Sequence, residues 1–228
     1  SRTEDIRDKQ TWYNNIRVNY DSRYQSWELN GNVYATSEEK SSQQPNNRYY
    51  AELRGGDWLR LAVGDATPRF PTLVLNGKRV RGFNGSLELG YFNIQATFGE
   101  INRGISGRID TLYYTDNAPI RSDVISLDSA KYADYYNQGL TRASVTFGSN
   151  KRNLLAIRPS FGSGQNFQWG FTYLHAIDKF EETDFGGIPK ENVVAGTDMT
   201  IAFDDQRFLF YTQAAVSIQN TDISDGEL

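Results

Sequence analysis

Apolar and polar residues alternate along this chain with a period of two, over runs longer than ordinary strands. From Arg207 to Asn220, Phe208, Phe210, Thr212, Ala214, Val216 and Ile218 alternate with Leu209, Tyr211, Gln213, Ala215, Ser217 and Gln219. One face is nearly all apolar and the other is mostly polar or small. Just upstream, Val193, Ala195, Thr197, Met199, Ile201 and Phe203 alternate with Val194, Gly196, Asp198, Thr200, Ala202 and Asp204. The junction Asp204-Asp205-Gln206 has turn composition, so the two runs predict a long antiparallel hairpin.

The same period recurs toward the start of the chain. Phe167, Trp169, Phe171, Tyr173 and Ile177 share a face opposite Asn166, Gln168, Gly170, Thr172 and Asp178. Phe92, Ile94, Ala96 and Phe98 oppose Tyr91, Asn93, Gln95 and Thr97, while Trp12, Ile16, Val18 and Tyr20 lead into Trp27, Leu29, Val33 and Ala35. A Gly-Ser-Asn-Lys turn at 148–151 predicts a hairpin joining Ala143, Val145 and Phe147 to Leu155 and Ile157. Weaker strands are expected at Arg48–Arg54, Trp58–Asp65, Leu73–Asn76 and Arg79–Leu89. The total is about ten strands, most of about 9–14 residues, against a typical ~5–6. Helical period is confined to Ser126–Asn137, and the expected long loops are Ser37–Asn47, Arg103–Gly139 and Glu181–Lys190.

A soluble sandwich also alternates, so strand length and the character of the second face separate the alternatives. A strand crossing a bilayer needs ~9–11 residues, an apolar exterior, rings near both ends and an inner side free to be polar. Composition agrees: apolar residues are only 38%, yet aromatics reach 14%, which also disfavours disorder. No run approaches the ~20 apolar residues of a membrane helix. The residues expected to face lipid are Phe92, Ile94, Phe98, Phe167, Trp169, Phe171, Ile201, Phe203, Phe208, Phe210, Val216 and Ile218. With a net charge of −4 and no basic stripe, no nucleic-acid partner is expected.

The hairpin Val193–Asn220, centred on Ala-Gly-Thr-Asp-Met-Thr-Ile-Ala-Phe, and the Gln165–Asp178 strand resemble outer-membrane β-barrel proteins of Gram-negative bacteria. The resemblance covers most of the chain and is architectural. It implies an all-β, antiparallel transmembrane barrel or barrel segment in the outer membrane. The implied role is non-enzymatic, as a channel, a transport or secretion component or a structural subunit. The lipid bilayer, with other membrane or periplasmic subunits, would be its partner. Such barrels commonly end on a strand with a terminal aromatic residue. Here the last residues, Thr-Asp-Ile-Ser-Asp-Gly-Glu-Leu228, read as a turn, so a segment of a longer chain, or a wall completed by other chains, is expected. The competing reading is a soluble or surface-attached β-sandwich binding glycans or proteins through aromatic loops.

Little else carries chemistry. The segment Gly64–Gly82 holds Pro68 and Pro71, which break a ladder, and Asn76-Gly77, a type I′ turn signal between Leu73–Leu75 and Arg79–Arg81. Arg79, Arg81 and Arg103 are candidate pore-lining cations biasing which solutes pass. The bland alternative pairs such cations with Asp57, Asp65, Glu88 and Glu100 in the wall. His175, the one histidine, falls on an apolar face and is read as interfacial or core packing rather than a catalytic base. The acids Glu181, Glu182 and Asp184, and Asp204-Asp205, lack calcium-loop spacing and read as solvated charge. Trp58, Tyr113-Tyr114 and Tyr135-Tyr136 read as membrane belt or packed loop before recognition surface. No cofactor, metal or catalytic residue is expected, and an enzyme is the least favoured reading.

Overall fold

The computed structural model describes residues 13–179, 183–224 and 226, so Trp12, Glu181 and Glu182 lie outside the described residues. The strands are β1 (Asn15–Tyr24), β2 (Trp27–Thr36), β3 (Arg48–Gly55), β4 (Leu59–Ala66), β5 (Val80–Glu88), β6 (Phe92–Asn102) and β7 (Arg108–Tyr114). There follow β8 (Val124–Ser126), a single helical turn α1 (Ala133–Tyr136), β9 (Leu140–Thr146), β10 (Lys151–Phe161), β11 (Phe167–Lys179), β12 (Glu191–Phe203) and β13 (Phe208–Asn220).

Ten strands form one antiparallel sheet in the order β1-β2-β3-β4-β5-β6-β10-β11-β12-β13, while β7, β9 and β8 form a second, small sheet. The large sheet is not closed: β1 and β13 are its edges. The protein exposes 15410 Å² for its 25.9 kDa, against about 10,500 Å² for a compact monomer of that mass. A single-layer sheet whose apolar face is left open contributes to the excess.

The predicted strands of the large sheet form close to their expected positions, because the period of two fixes which residues share a face. Three expectations fail. The 148–151 turn does not make a hairpin of β9 and β10. Instead β10 pairs with β6 over Leu155↔Phe98 and Ile157↔Ala96, and β9 pairs with β7 and β8. The reason is a separate core: Ala143 and Val145 of β9 pack with Leu127, flanked by Ile109, Tyr136 and Phe185. Leu73–Asn76 is a turn rather than a strand, with the Val74 and Leu75 N–H groups donating to Pro71 O. Gly77 has φ +63° but Asn76 does not have the positive φ a type I′ turn requires there. Finally, Arg103–Gly139 contains β7 and β8, and the helical period at Ser126–Asn137 yields only α1.

Connection lengths divide by end. The turns β1–β2, β3–β4, β5–β6, β10–β11 and β12–β13 take two to five residues each. Every connection at the opposite end takes eleven or more, and the one from β6 to β10 carries the whole small sheet. In the β12–β13 turn, Asp204, Asp205 and Gln206 all have φ between 52° and 65°, a conformation tolerated best by short polar side chains.

Candidate functional site

The register lays one continuous apolar face across the large sheet. Val18↔Val33↔Tyr49 starts it and Val63↔Phe83↔Phe98↔Leu155↔His175↔Val193↔Ile218 continues it. All twelve residues expected to face lipid stand on this side, ten of them exposed and Ile94 and Ile201 half-buried among their neighbours. Among the described residues no other element covers it, whereas a sandwich would bury it under a second sheet.

The face has two distinct borders. At the short-turn end Trp27 meets Trp58 edge-on at 6.2 Å, Phe92 meets Phe161 at 5.5 Å and Phe203 stacks on Phe208 at 5.6 Å. Trp27 also lies across Gly55, where a Cβ would come within 2.9 Å of its ring. At the long-loop end one transverse row reads Asp65↔Arg81↔Glu100↔Asn153↔Ile177↔Glu191↔Asn220, polar at every position but one. On β12 the apolar side runs from Phe203 to Val193, about 33 Å along a strand and about 25 Å in height at a barrel tilt. It narrows on β4, where Asp65 ends it after Leu59, Leu61 and Val63. Two polar groups within the face satisfy each other: Trp169 Nε1–H donates to Thr197 Oγ1 at 2.9 Å, and that hydroxyl donates to Gly170 O.

The opposite side is polar over most of its area, and several of its ionic groups are paired. Glu52 holds Arg54 and Arg60 at 2.5 and 2.7 Å, Arg152 forks onto Asp178, and Arg158 onto Asp198. Toward the long-loop end this polar rule breaks. Leu154, Ala156, Leu174, Ala176 and Val194 point inward and are buried. Their cover is the connector between β4 and β5, residues 67–79, which folds onto the inner face instead of outward into solvent. Phe70 and Leu75 complete the core, Val74 lies against Gly196 of β12, and Gln213 of β13 accepts from the Leu73 N–H and Thr72 hydroxyl. The two prolines that forbid a strand here free the segment to cross the sheet.

The three candidate pore-lining arginines share another task. Arg81 stands on the apolar side in the polar border row, not on the inner face, and binds Asp65 at 2.9 Å, Asn47 O at 2.6 Å and the Tyr49 ring. Arg79 donates to Pro45 O and faces Asp65 at 3.6 Å. Arg103 pairs with Glu39 at 2.8 Å, and its backbone exchanges two hydrogen bonds with the Gln44 amide. Together they fasten the loop at 37–47 to the rim. Within that loop the Asn47 and Asn46 N–H groups and Arg103 hold the Glu39 carboxyl below its ordinary pKa. Of the acids offered as partners from sequence, Asp65 is the one these pairs use.

His175 meets Glu191, Nε2 to Oε1 at 2.6 Å, and Glu191 is only 2% exposed, so the ring's partner is a carboxylate rather than a nucleophile. Asp184 pairs with Lys131, and Asp204 faces Arg207. Among the described residues no three His, Asp or Glu side chains gather to hold a metal. Trp58 belongs to the aromatic border, Tyr136 donates to Leu127 O, and Tyr132 stacks between Tyr135 and Phe185. The inward connector was missed from sequence. Its signal was the apolar run at Leu154, Ala156, Leu174, Ala176 and Val194, at the same end of three adjacent strands. Comparison with family models, with curated proteins and with solved structures finds no match to this chain.

Proposed function

We propose that this chain forms the wall, or part of the wall, of an antiparallel β-barrel in the outer membrane of a Gram-negative bacterium. Its role is that of a non-enzymatic channel, transport or secretion component. One observation carries the reading: an exposed apolar face spanning ten strands, bordered by rings on one side and a polar row on the other. Its height on β12 matches the ~25 Å apolar band of such barrels, and short turns at one end with long loops at the other is their usual asymmetry. A soluble sandwich would place a second sheet over Phe171 and Val216. The small sheet instead closes over Leu127, Ala143 and Val145.

A sheet in lipid cannot leave edges. Nine successive antiparallel pairings make β1 and β13 run antiparallel to each other, so they suit a closing ladder, directly or through further strands. Strand β13 carries no charged residue to protect an open edge. The connector at 67–79 then stands on the water-facing side and narrows the passage. The proposal rests on two measurements. Protein extracted in detergent should run faster on a gel before heating than after. A variant keeping Trp169 as its only tryptophan should be quenched by lipids brominated along their chains. A monomer that stays soluble without detergent, with Trp169 unquenched, would overturn the reading.

A further inference from the structure

A cavity of about 280 Å³ opens between the connector and the long-loop ends of β6, β10, β11 and β12. Its floor is apolar: Leu75, Ile101, Leu154, Leu174 and Val194. Its rim is ionic, formed by Lys78, Lys190, Arg152 and Glu191. Arg152 is already neutralised by a forked pair with Asp178 at 2.6 and 2.7 Å, and Glu191 is engaged by His175. Lys78 and Lys190 form no ion pair among the described residues. A chain whose net charge is −4 therefore lines this greasy floor with two lysines that have no acidic partner among the described residues.

We propose that this cavity binds a small amphiphilic carboxylate, its apolar tail on Leu154 and Leu174 and its carboxylate between Lys78 and Lys190. A cationic amphiphile would face those two lysines, while the Glu191 carboxylate is already held. A phosphate or sugar would leave the floor unused and its own polar atoms unpaired against leucine. The volume lies near the lower limit of small-ligand sites, ~300 Å³, so the tail is short. The Asn76, Asn192 and Gln219 amides also line the site and supply donors to a carboxylate. The site needs only the connector and the inner face, so it stands or falls apart from the membrane reading.

The probes are fluorine-labelled octanoate, octanol and octyltrimethylammonium, followed by NMR on the folded protein in plain buffer or in non-ionic detergent, whichever keeps it dispersed, with the protein-free solution as the blank. Octanoate should bind about tenfold tighter than octanol, and the cation weakest, as a charge-assisted contact predicts. The variant Lys78→Gln/Lys190→Gln should bring octanoate down to the level of octanol. Ile101→Trp, which fills the floor, should remove both. No octanoate binding above the blank, equal binding of all three probes, or binding unchanged in either variant would overturn the proposal.

Discussion

The Arg158 guanidinium lies flat over Gly170 and reaches Asp198, Nε to Oδ1 at 2.9 Å and Nη2 to Oδ2 at 2.6 Å. The pair thus joins β10 to β12 across the intervening β11, on the inner face. A Cβ at position 170 would come within 2.6 Å of Nη2, so any side chain there must displace the guanidinium from its present place over β11. Asp198 is only 4% exposed. Gly170→Ala should lift the guanidinium, strand that carboxylate and cost about 3 kcal/mol. Arg158→Met alone should cost a similar amount, and Arg158→Met/Asp198→Leu should recover most of it, because no buried charge is then left alone. Denaturant unfolding of the four proteins checks this, and equal stability of Gly170→Ala and wild type would count against the bridge.

The rim loop depends on three arginines rather than one. Arg79, Arg81 and Arg103 contact Pro45, Asn47 and Glu39 respectively, so removing a single cation leaves two anchors. Limited proteolysis within residues 37–47 should rise only slightly in Arg79→Ala and by an order of magnitude or more in Arg79→Ala/Arg81→Ala/Arg103→Ala. If these residues instead select solutes in a channel, Arg103→Ala should change ion selectivity while cleavage stays at the wild-type rate.

Much of the large sheet is legible in the sequence, because a strand with one apolar face has a single acceptable register. Val193 to Phe203 and Phe208 to Ile218 specify both the β12–β13 hairpin and the side it shows outward. What fails is partner choice. Gly148-Ser149 reads as a hairpin turn, but β9 satisfies its own alternation in a small local core and leaves β10 to β6, forty-eight residues upstream of it. Alternation states which face is apolar and is silent on which of several apolar faces will meet it. Arg81 shows the same limit from the polar side. Its period was readable, yet whether its row borders lipid or lines water depends on Asp65, Glu100 and the loop above them.

The small sheet has its own pH sensitivity. Arg121 and Ser144 both donate to Asp123, which holds its carboxyl down to about 2. A depressed carboxylate contributes its stability fully above the unfolded value, near 4, and loses it as pH falls through the folded value. The tie between the start of β8 and β9 should therefore loosen from about pH 4 to about pH 2, with nothing changing at neutral pH. A carbon-detected NMR titration of Asp123 should show a midpoint near 2 that rises toward the ordinary value in Arg121→Gln. An unchanged midpoint in that variant would remove the ion pair as the cause.

The outer face offers the sharpest contrast between a bilayer and water. Ala195 lies within the apolar side of β12, between Val193 and Thr197 and two outward positions from the polar row at Glu191, while Phe203 stands at its ringed border beside Phe208. In lipid, Ala195→Lys should cost about 1–2 kcal/mol, since an ammonium there loses part of its hydration, whereas Phe203→Lys, able to reach the headgroups, should lose about 0–1 kcal/mol from charge alone. In water the order reverses. Ala195→Lys on an exposed strand is nearly neutral, and Phe203→Lys forfeits the ring stack on Phe208. Unfolding in lipid vesicles measures both. A larger penalty at 203 than at 195 would place this face in water and end the membrane reading, whatever the gel mobility shows.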